Sequence, residues 1–125
     1  MIKKVDMNIW GRDFDLKVEF DCYRGEKVTK SQEEALKKIV KNIDLINKSK
    51  KMLEKYCEKS VYADNENQKK DNVFSYIKPD YIFVKREDKP RVAIMCKYKY
   101  DMEHGLAIVF EESGNITIEL QDEIL

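Results

Sequence analysis

Strict alternation of apolar and polar residues is the feature that most constrains how this chain folds. Between residues 5 and 22 every second side chain is apolar, in two runs separated by Gly11-Arg12. Such alternation predicts a β-hairpin with one apolar face, and Gly11-Arg12 suits a type II′ turn because glycine favours its first position. The pairs that this turn predicts are Ile9–Phe14, Met7–Leu16 and Val5–Val18 on the apolar face, and Lys4–Glu19 and Asp6–Lys17 on the other face.

A stretch of helical periodicity follows between residues 31 and 59. Its apolar residues recur at spacings of three and four, which predicts a helix packed through one face. They are Leu36, Ile39, Val40, Ile43, Ile46, Leu53 and Cys57. Ser31 and Glu34 have the spacing of a capping box, so we expect the helix to begin near Ser31. Thirty unbroken residues would extend about 45 Å, which is long for a domain of this size, so we expect a bend or a break near residues 47–50.

Four further strands are predicted in the C-terminal half. A polar stretch without a period, residues 63–72, separates them from the helix and predicts a loop. The strands cover residues 81–85, 91–100, 106–110 and 116–120, with a turn at residues 87–90. A three-residue loop, Ser113-Gly114-Asn115, keeps the apolar face of the last hairpin continuous. The pairs that this loop predicts are Phe110–Ile118 and Ile108–Leu120.

The predicted order of elements is therefore ββα(α)ββββ. This order is typical of an α+β fold, with a mostly antiparallel sheet of about six strands and a central helical segment packed on one face. A chain of 125 residues is long enough to bury a core of its own. No linker interrupts the pattern, so we expect a single domain over residues 1–125.

Charge and composition exclude several classes of function. The 24 Lys and Arg balance 24 Asp and Glu, with a pI of about 6.6, so the chain lacks the basic field that attracts nucleic acid nonspecifically. No apolar run approaches the ~18 residues of a membrane span, and the first residues do not form a signal peptide. We expect a cytoplasmic protein that binds neither nucleic acid nor membranes, with Cys22, Cys57 and Cys96 reduced.

The sequence offers few residues for catalysis or for holding a metal. The only histidine, His104, lies in the run Asp101-Met-Glu-His104-Gly105. These side chains could in principle surround a metal, but a turn that holds its own backbone explains them better. No phosphate-binding glycine motif occurs, and Cys22 and Cys96 lie on apolar faces, where thiols are usually inert. We therefore expect no enzyme activity and no cofactor.

Charge is distributed unevenly along the chain. Residues 101–125 contain seven acidic residues and no Lys or Arg. A surface that meets a basic partner is one explanation. Neutralisation by neighbouring strands, for which Lys97 and Lys99 are available, is the other. The lysines of the helical stretch alternate with Glu54 and Glu58, which favours a solvated face over a nucleic-acid site.

Three stretches of the chain resemble a family of small uncharacterised bacterial domains. They are residues 10–23 (WGRDFDLKVEFDCY), the approach Tyr76-Ile-Lys-Pro79 to YIFVKR, and residues 98–110 together with the closing residues 121–125. Members of this family often end in D-P-E-H-G followed by an apolar run and a Q-D motif, and Met102 stands here in place of the proline. The resemblance covers nearly the whole chain and implies no established activity. Some similar domains lie near polymorphic toxin genes, which implies a role in immunity.

The expected function is non-enzymatic binding, as an immunity protein that neutralises a basic protein toxin by stoichiometric occlusion. The partner-binding residues under this hypothesis are Asp101, Glu103, His104, Glu111, Glu112, Glu119, Asp122 and Glu123. One alternative is a regulatory or structural domain that forms a homodimer through a sheet edge. Another is a module that binds a small ligand in an apolar pocket lined by tyrosines.

Overall fold

Six strands and three helices make up the computed structural model, which describes residues 3–22, 25–59 and 72–125. The elements are β1 (Lys4–Ile9), β2 (Arg12–Phe20), α1 (Lys30–Lys41), α2 (Ile43–Glu58), a 3-10 turn (Val73–Ser75), β3 (Ile77–Val84), β4 (Val92–Tyr98), β5 (Leu106–Phe110), β6 (Ile116–Glu119) and α3 (Gln121–Ile124). The predicted loop over residues 63–72 lies outside the described residues, apart from Asn72.

The strands form one sheet in the order of the sequence, from β1 at one edge to β6 at the other. The neighbours β2 and β3 are parallel, and every other pair is antiparallel. A parallel pair needs a crossover connection, and α1 and α2 lie in that connection. The α+β class and the predicted order ββα(α)ββββ are confirmed. The short helix α3 is an addition that the sequence pattern did not predict.

Each face of the sheet buries its own cluster of apolar side chains. The helices cover the larger cluster, in which Leu36, Ile46 and Leu53 pack against alternate residues of the strands. The opposite face carries a smaller cluster centred on Met95 and Val109. Ile124 of α3 completes that cluster, so the C-terminal segment covers the face that α1 and α2 leave open. This arrangement explains why β4 and β5 are apolar at nearly every position.

The register predicted for the first hairpin is wrong by two residues. The turn is Trp10-Gly11, with φ of 53° and 86°, and positive φ at both positions defines a type I′ turn. The observed pairs are Ile9–Arg12, Met7–Phe14 and Val5–Leu16, with Lys4–Lys17 and Asp6–Asp15 on the other face. The apolar face survives because the shift is two residues. The indole of Trp10 accounts for the choice of turn, since its Nε1 donates to Ile46 O at 3.0 Å and to Ser49 Oγ at 3.1 Å.

The predicted start and break of the helical segment are also displaced. Thr29 is the N-cap and forms a capping box with Gln32, two residues before the predicted Ser31. Gln32 is buried, and its Nε2 donates to Asp21 O at 2.9 Å and to Val84 O at 3.2 Å, which fixes the start of α1 against the ends of β2 and β3. The break lies at Asn42, before residues 47–50, because its side chain accepts from Leu45 N and caps α2.

The last hairpin has the predicted loop length but a different register. Its loop is Glu112-Ser113-Gly114, closed by Glu111 N donating to Asn115 O at 2.9 Å. The third position of such a loop is left-handed, and Gly114, with φ of 94°, occupies it. The observed pairs are therefore Phe110–Ile116 and Ile108–Ile118.

The strand predicted at residues 81–85 begins earlier, at Ile77, and takes in Pro79. Its pairing with β4 shifts register between Pro79 and Tyr81. A register irregularity is where a sheet tolerates a residue that lacks an N–H donor. The sequence pattern could not show this, because Pro79 reads as the end of a loop.

Candidate functional site

The seven acidic residues of the C-terminal quarter lie along the β6 side of the sheet, and we call them the acidic edge. They are Asp101 and Glu103 in the β4–β5 turn, Glu111 and Glu112 in the β5–β6 hairpin, Glu119 in β6, and Asp122 and Glu123 in α3. The strand directions place the β4–β5 turn and the hairpin at opposite ends of β5 and β6. The predicted residues are therefore divided between the two ends of β6, with Glu119 alone within the strand, and do not gather at a single point.

Among the described residues, no lysine or arginine side chain pairs directly with the acidic edge. Within residues 3–22, 25–59 and 72–125, the one ion pair that includes any of the seven carboxylates joins Asp101 to His104. The helix α2 packs beside β6, and Lys97 and Lys99 flank the β4–β5 turn in sequence. Neither the lysines of α2 nor Lys97 and Lys99 place an Nζ within 4.0 Å of an acidic-edge oxygen in the described part of the chain. Direct neutralisation by neighbouring strands is therefore not seen there.

Asp101 organises the turn that connects β4 and β5. Its Oδ1 lies 2.9 Å from Nδ1 of His104 and accepts from the backbone N of His104 at 3.4 Å, while its backbone O accepts from Gly105 N at 2.9 Å. The hydrogen bond between the side chains of His104 and Asp101 is the main cause that raises the pKa of His104. The charges of Glu103 and Asp122 act in the same direction. The contacts are those of a turn that holds its own backbone, and they leave the imidazole largely exposed.

The two motifs that carry the family resemblance meet in the structure. Gln121 donates through Nε2 to Cys96 O at 2.9 Å, and this side chain lies directly over Gly105. A Cβ at Gly105 would come within 2.7 Å of Gln121 Nε2 and within 2.8 Å of Cys96 O. The glycine after His104 and the glutamine of the closing segment therefore form one packing unit. The sequence contains both motifs, but their contact becomes visible only when β4 and α3 are placed.

A cleft at the other end of the acidic edge was not predicted. It lies between α1 and the β5–β6 hairpin and has a volume of about 460 Å³. Buried apolar residues such as Ile39, Val92 and Phe110 line it. Carboxylates from three separate segments stand around it, contributed by Glu34, Asp88, Glu111 and Glu112. Sequence reasoning found the last two and missed the others, because Glu34 and Asp88 lie far from the acidic quarter in the chain.

No tyrosine is among the described residues that line this cleft. Tyr76, Tyr98 and Tyr100 pack against one another, with ring centroids 5.7 to 6.4 Å apart. Tyr76 and Tyr98 are buried, and burial raises the pKa of Tyr76. These rings therefore belong to the core of the fold.

The thiols and the described ionisable side chains offer little for chemistry. Cys57 and Cys96 are buried, Cys22 is half-buried, and none forms a disulfide. Burial raises the pKa of the Cys96 thiol, which disfavours the reactive thiolate. Among the described residues no group of three or more His, Cys, Asp or Glu side chains is arranged to hold a metal ion. None of the described helices is both long enough and apolar enough to cross a membrane.

Comparison with known proteins identifies the family of this chain and nothing more specific. No curated protein matches the sequence. No solved structure matches it either. One family matches residues 1–125, the entire sequence given, including both the glycine turn and the closing glutamine. The chain belongs to this family, which is described as a domain of unknown function (DUF6985).

Proposed function

We propose that this chain is a non-enzymatic binding protein that occludes a basic protein, and specifically an immunity protein that neutralises a cognate bacterial toxin. The observation that carries the proposal is the acidic edge, whose carboxylates have no Lys or Arg partner within 4.0 Å in the described part of the chain. A row of charge of one sign without such direct partners is typical of a surface that meets the opposite sign. Arg91 acts on Glu111 and Glu119 through its charge and forms its ion pair with Glu87. The same row repels phosphate, so the proposal excludes nucleic acid as the partner.

The edge position suits a mechanism of fast, stoichiometric binding. Summed charges on one surface raise association rates by about 10- to 1,000-fold and do so in a salt-dependent way. The acidic edge has exposed carboxylates at both ends of β6, so a basic surface that spans this strand can meet both groups at once. Occlusion by such a surface needs no reacting group.

Charge reversal tests the proposal with a matched control. The test variant is Glu103→Lys with Glu112→Lys, because both residues are exposed and lie at opposite ends of the acidic edge. Glu119 is less suitable, since it is half-buried and its Oε2 is buried without a hydrogen-bond partner among described residues. The control is Asp15→Lys with Glu19→Lys, an equal change of charge at two exposed positions of β2, near the other edge of the sheet.

The partner for this test is the product of the adjacent gene, provided that it arrests growth when expressed alone. Co-expression of the wild-type chain is expected to restore growth. The Glu103/Glu112 variant is expected to bind at least about tenfold more slowly at low salt, with a weaker dependence on salt, whereas the control keeps the wild-type rate. Equal rates for both variants would contradict the proposed surface, and an adjacent metabolic gene without toxicity would contradict the immunity role.

Self-association is a second candidate, supported by the other edge of the sheet. The strand β1 spans six residues, Lys4–Ile9, against four in β6. Two copies paired antiparallel about Val5 would place Lys4 of each copy opposite Asp6 of the other, which is a favourable cross-strand arrangement. Sedimentation showing a dimer that is lost in an Asp6→Lys variant would favour this candidate, and a monomer at all concentrations would exclude it.

A further inference from the structure

We propose that the cleft between α1 and the β5–β6 hairpin receives one arginine side chain of the protein partner. The stem of the arginine lies on the apolar floor, and its guanidinium lies among the carboxylates of the rim. The inference rests on the proposed function, because it names the residue type by which the basic partner is anchored. Within the acidic edge, this cleft is then the specific pocket that binds one side chain of the partner.

The floor of the cleft is apolar and already ordered by the core. Phe110 and Val92 are neighbours across β5 and β4, each about 1% exposed, and Ile39 of α1 is 6% exposed. Pro90 is also buried and lines the same cleft. A floor of this kind can pack the methylene stem of a long side chain, as happens wherever Arg or Lys places its stem along apolar surface.

The rim carries more negative than positive charge. Glu34, Asp88, Glu111 and Glu112 contribute four carboxylates. An anion or an apolar side chain would leave this charge uncompensated, whereas a cation compensates it.

Neighbouring groups hold the rim without neutralising it. Arg91, which lies beside the cleft, is engaged by Glu87, since its Nε is 2.8 Å from Glu87 Oε1. Asn115 donates through Nδ2 to Glu111 Oε2 at 3.3 Å, which orients that carboxylate and leaves its charge in place. Glu34 makes only an exposed contact with Lys30 at 3.9 Å. The adjoining surface also carries Glu87 and, besides Lys38, two further cations, Lys89 and Arg91, and Arg91 acts on Glu111 through its charge. Five carboxylates then stand beside three cations in the described lining, so the rim keeps a net negative charge.

Arginine fits this arrangement better than lysine does. Its guanidinium presents five donors in a planar fork and can bind several carboxylates at once, whereas the lysine ammonium is a compact and strongly hydrated charge. The carboxylates reach the cleft from three directions, namely α1, the β3–β4 connection and the β5–β6 hairpin. Arginine is also one of the residues that most often dominate the binding energy of an interface when they fill a pocket.

A blocked dipeptide tests the pocket without the partner. The probe is acetyl-leucyl-arginine amide, and its matched control is acetyl-leucyl-citrulline amide, which has nearly the same shape but no charge. Titration of the ¹⁵N-labelled full chain is expected to shift the amide signals of Ile39, Phe110 and Gly114 with the arginine probe, and at least tenfold more weakly with citrulline. Equal shifts with both probes, or shifts confined to other residues, would overturn the proposal.

Two neutralising variants separate the cleft from the rest of the acidic edge. Asp88→Asn with Glu112→Gln removes two rim charges and is expected to weaken probe binding at least tenfold. Glu103→Gln with Asp122→Asn removes two charges at the opposite end and is expected to leave probe binding unchanged. Circular dichroism of both variants checks that they fold. A similar loss in both would show a general charge effect and would overturn the specific pocket.

A filling variant distinguishes failure of this inference from failure of the proposed function. Ala35→Phe narrows the cleft without changing the charge of the chain, because Ala35 is a half-buried lining residue of α1. With the adjacent gene's product, the proposal predicts an unchanged association rate and a dissociation rate raised at least tenfold. An unchanged dissociation rate would contradict the proposal that the cleft binds an arginine, without contradicting the proposed binding function. If the wild-type chain does not bind that product, the binding function fails, and the dipeptide titration still decides the pocket.

Discussion

Gly105 packs so closely against its neighbours that the structure leaves no room for a Cβ atom at this position. Its φ of 62° is left-handed, and any Cβ would meet Gln121 Nε2 at 2.7 Å and the backbone O of Cys96 at 2.8 Å. The glutamine cannot move away without releasing its hydrogen bond to that same oxygen. This contact gives a physical reason for the glycine of the D-x-E-H-G run and the glutamine of the closing motif to occur together.

The substitution Gly105→Ala is expected to lower the free energy of unfolding by about 2–4 kcal/mol, because a left-handed alanine costs about 1–2 kcal/mol and the collision adds to it. Gly114→Ala is the control, since Gly114 also has a positive φ but a Cβ there meets nothing within 4 Å. Urea unfolding of both variants measures the difference. Equal losses of stability would contradict the packing of Gln121 over Gly105.

His104 provides a titration that reports on the same turn. Asp101 raises its pKa above the usual value, so the folded chain binds this proton more tightly than the unfolded chain does. The resulting stabilisation is fully present below the unfolded-state pKa of about 6.5 and is lost as the pH rises through the higher folded-state value.

Proton NMR of the single histidine measures this pKa without ambiguity of assignment. The wild-type chain is expected to titrate above pH 6.5, and Asp101→Asn is expected to lower the pKa because the accepting carboxylate is removed. Asp122→Asn is the matched comparison and should lower the pKa less, since the charge of Asp122 is a smaller cause than the hydrogen bond. A wild-type pKa at or below 6.5 would contradict the Asp101–His104 contact.

At the scale of elements, the sequence predicts strands and their faces well and predicts registers poorly. The alternation of side chains is local, so it identifies five of the strands and the apolar face of both hairpins, while the apolar run at residues 81–85 identifies the C-terminal part of β3. Register depends on where each turn lies, and the first turn is set by Trp10, which reaches 36 to 39 residues along the chain to α2. Trp-Gly lacks the Asn-Gly signature of a type I′ turn, so no local signal revealed it.

The start of α1 shows the same dependence on distant contacts. Ser31 and Glu34 have the spacing of a capping box, but Thr29 and Gln32 form it, because the buried Gln32 also bonds to Asp21 and Val84. A glutamine that serves as both a helix cap and a bridge between two strands cannot be recognised from spacing alone.

Gln32→Ala is therefore expected to lower the free energy of unfolding by about 2–3 kcal/mol, because it removes the bond to Asp21 O, the acceptor of Thr29 N and one of the two donors to Val84 O. Ser31→Ala, at the exposed position that the sequence pattern favoured, is expected to change it by less than about 0.5 kcal/mol. Chemical denaturation of the two variants distinguishes the caps. A larger loss for Ser31→Ala would show that α1 begins where the sequence pattern placed it.

At the scale of the whole molecule, composition identified the acidic edge, and tertiary structure was needed for the cleft. The seven acidic residues are visible because they occur in one segment without a cation. The cleft combines α1, the β3–β4 connection and the last hairpin, and Glu34 and Glu112 lie 78 positions apart in the sequence. No sequence window contains all three, so a predicted fold class alone could not bring Glu34 and Asp88 beside Glu112.

The proposed function requires that the acidic edge is the surface that contacts the basic protein. Hydrogen–deuterium exchange measures which surface becomes protected in the complex. The full chain is exchanged alone and with the toxic product of the adjacent gene. We expect the backbone amides of the β4–β5 turn, the β5–β6 hairpin and β6 to exchange more slowly in the complex, and those of β1 and β2 to be unchanged. Slower exchange confined to β1 and β2 would contradict it.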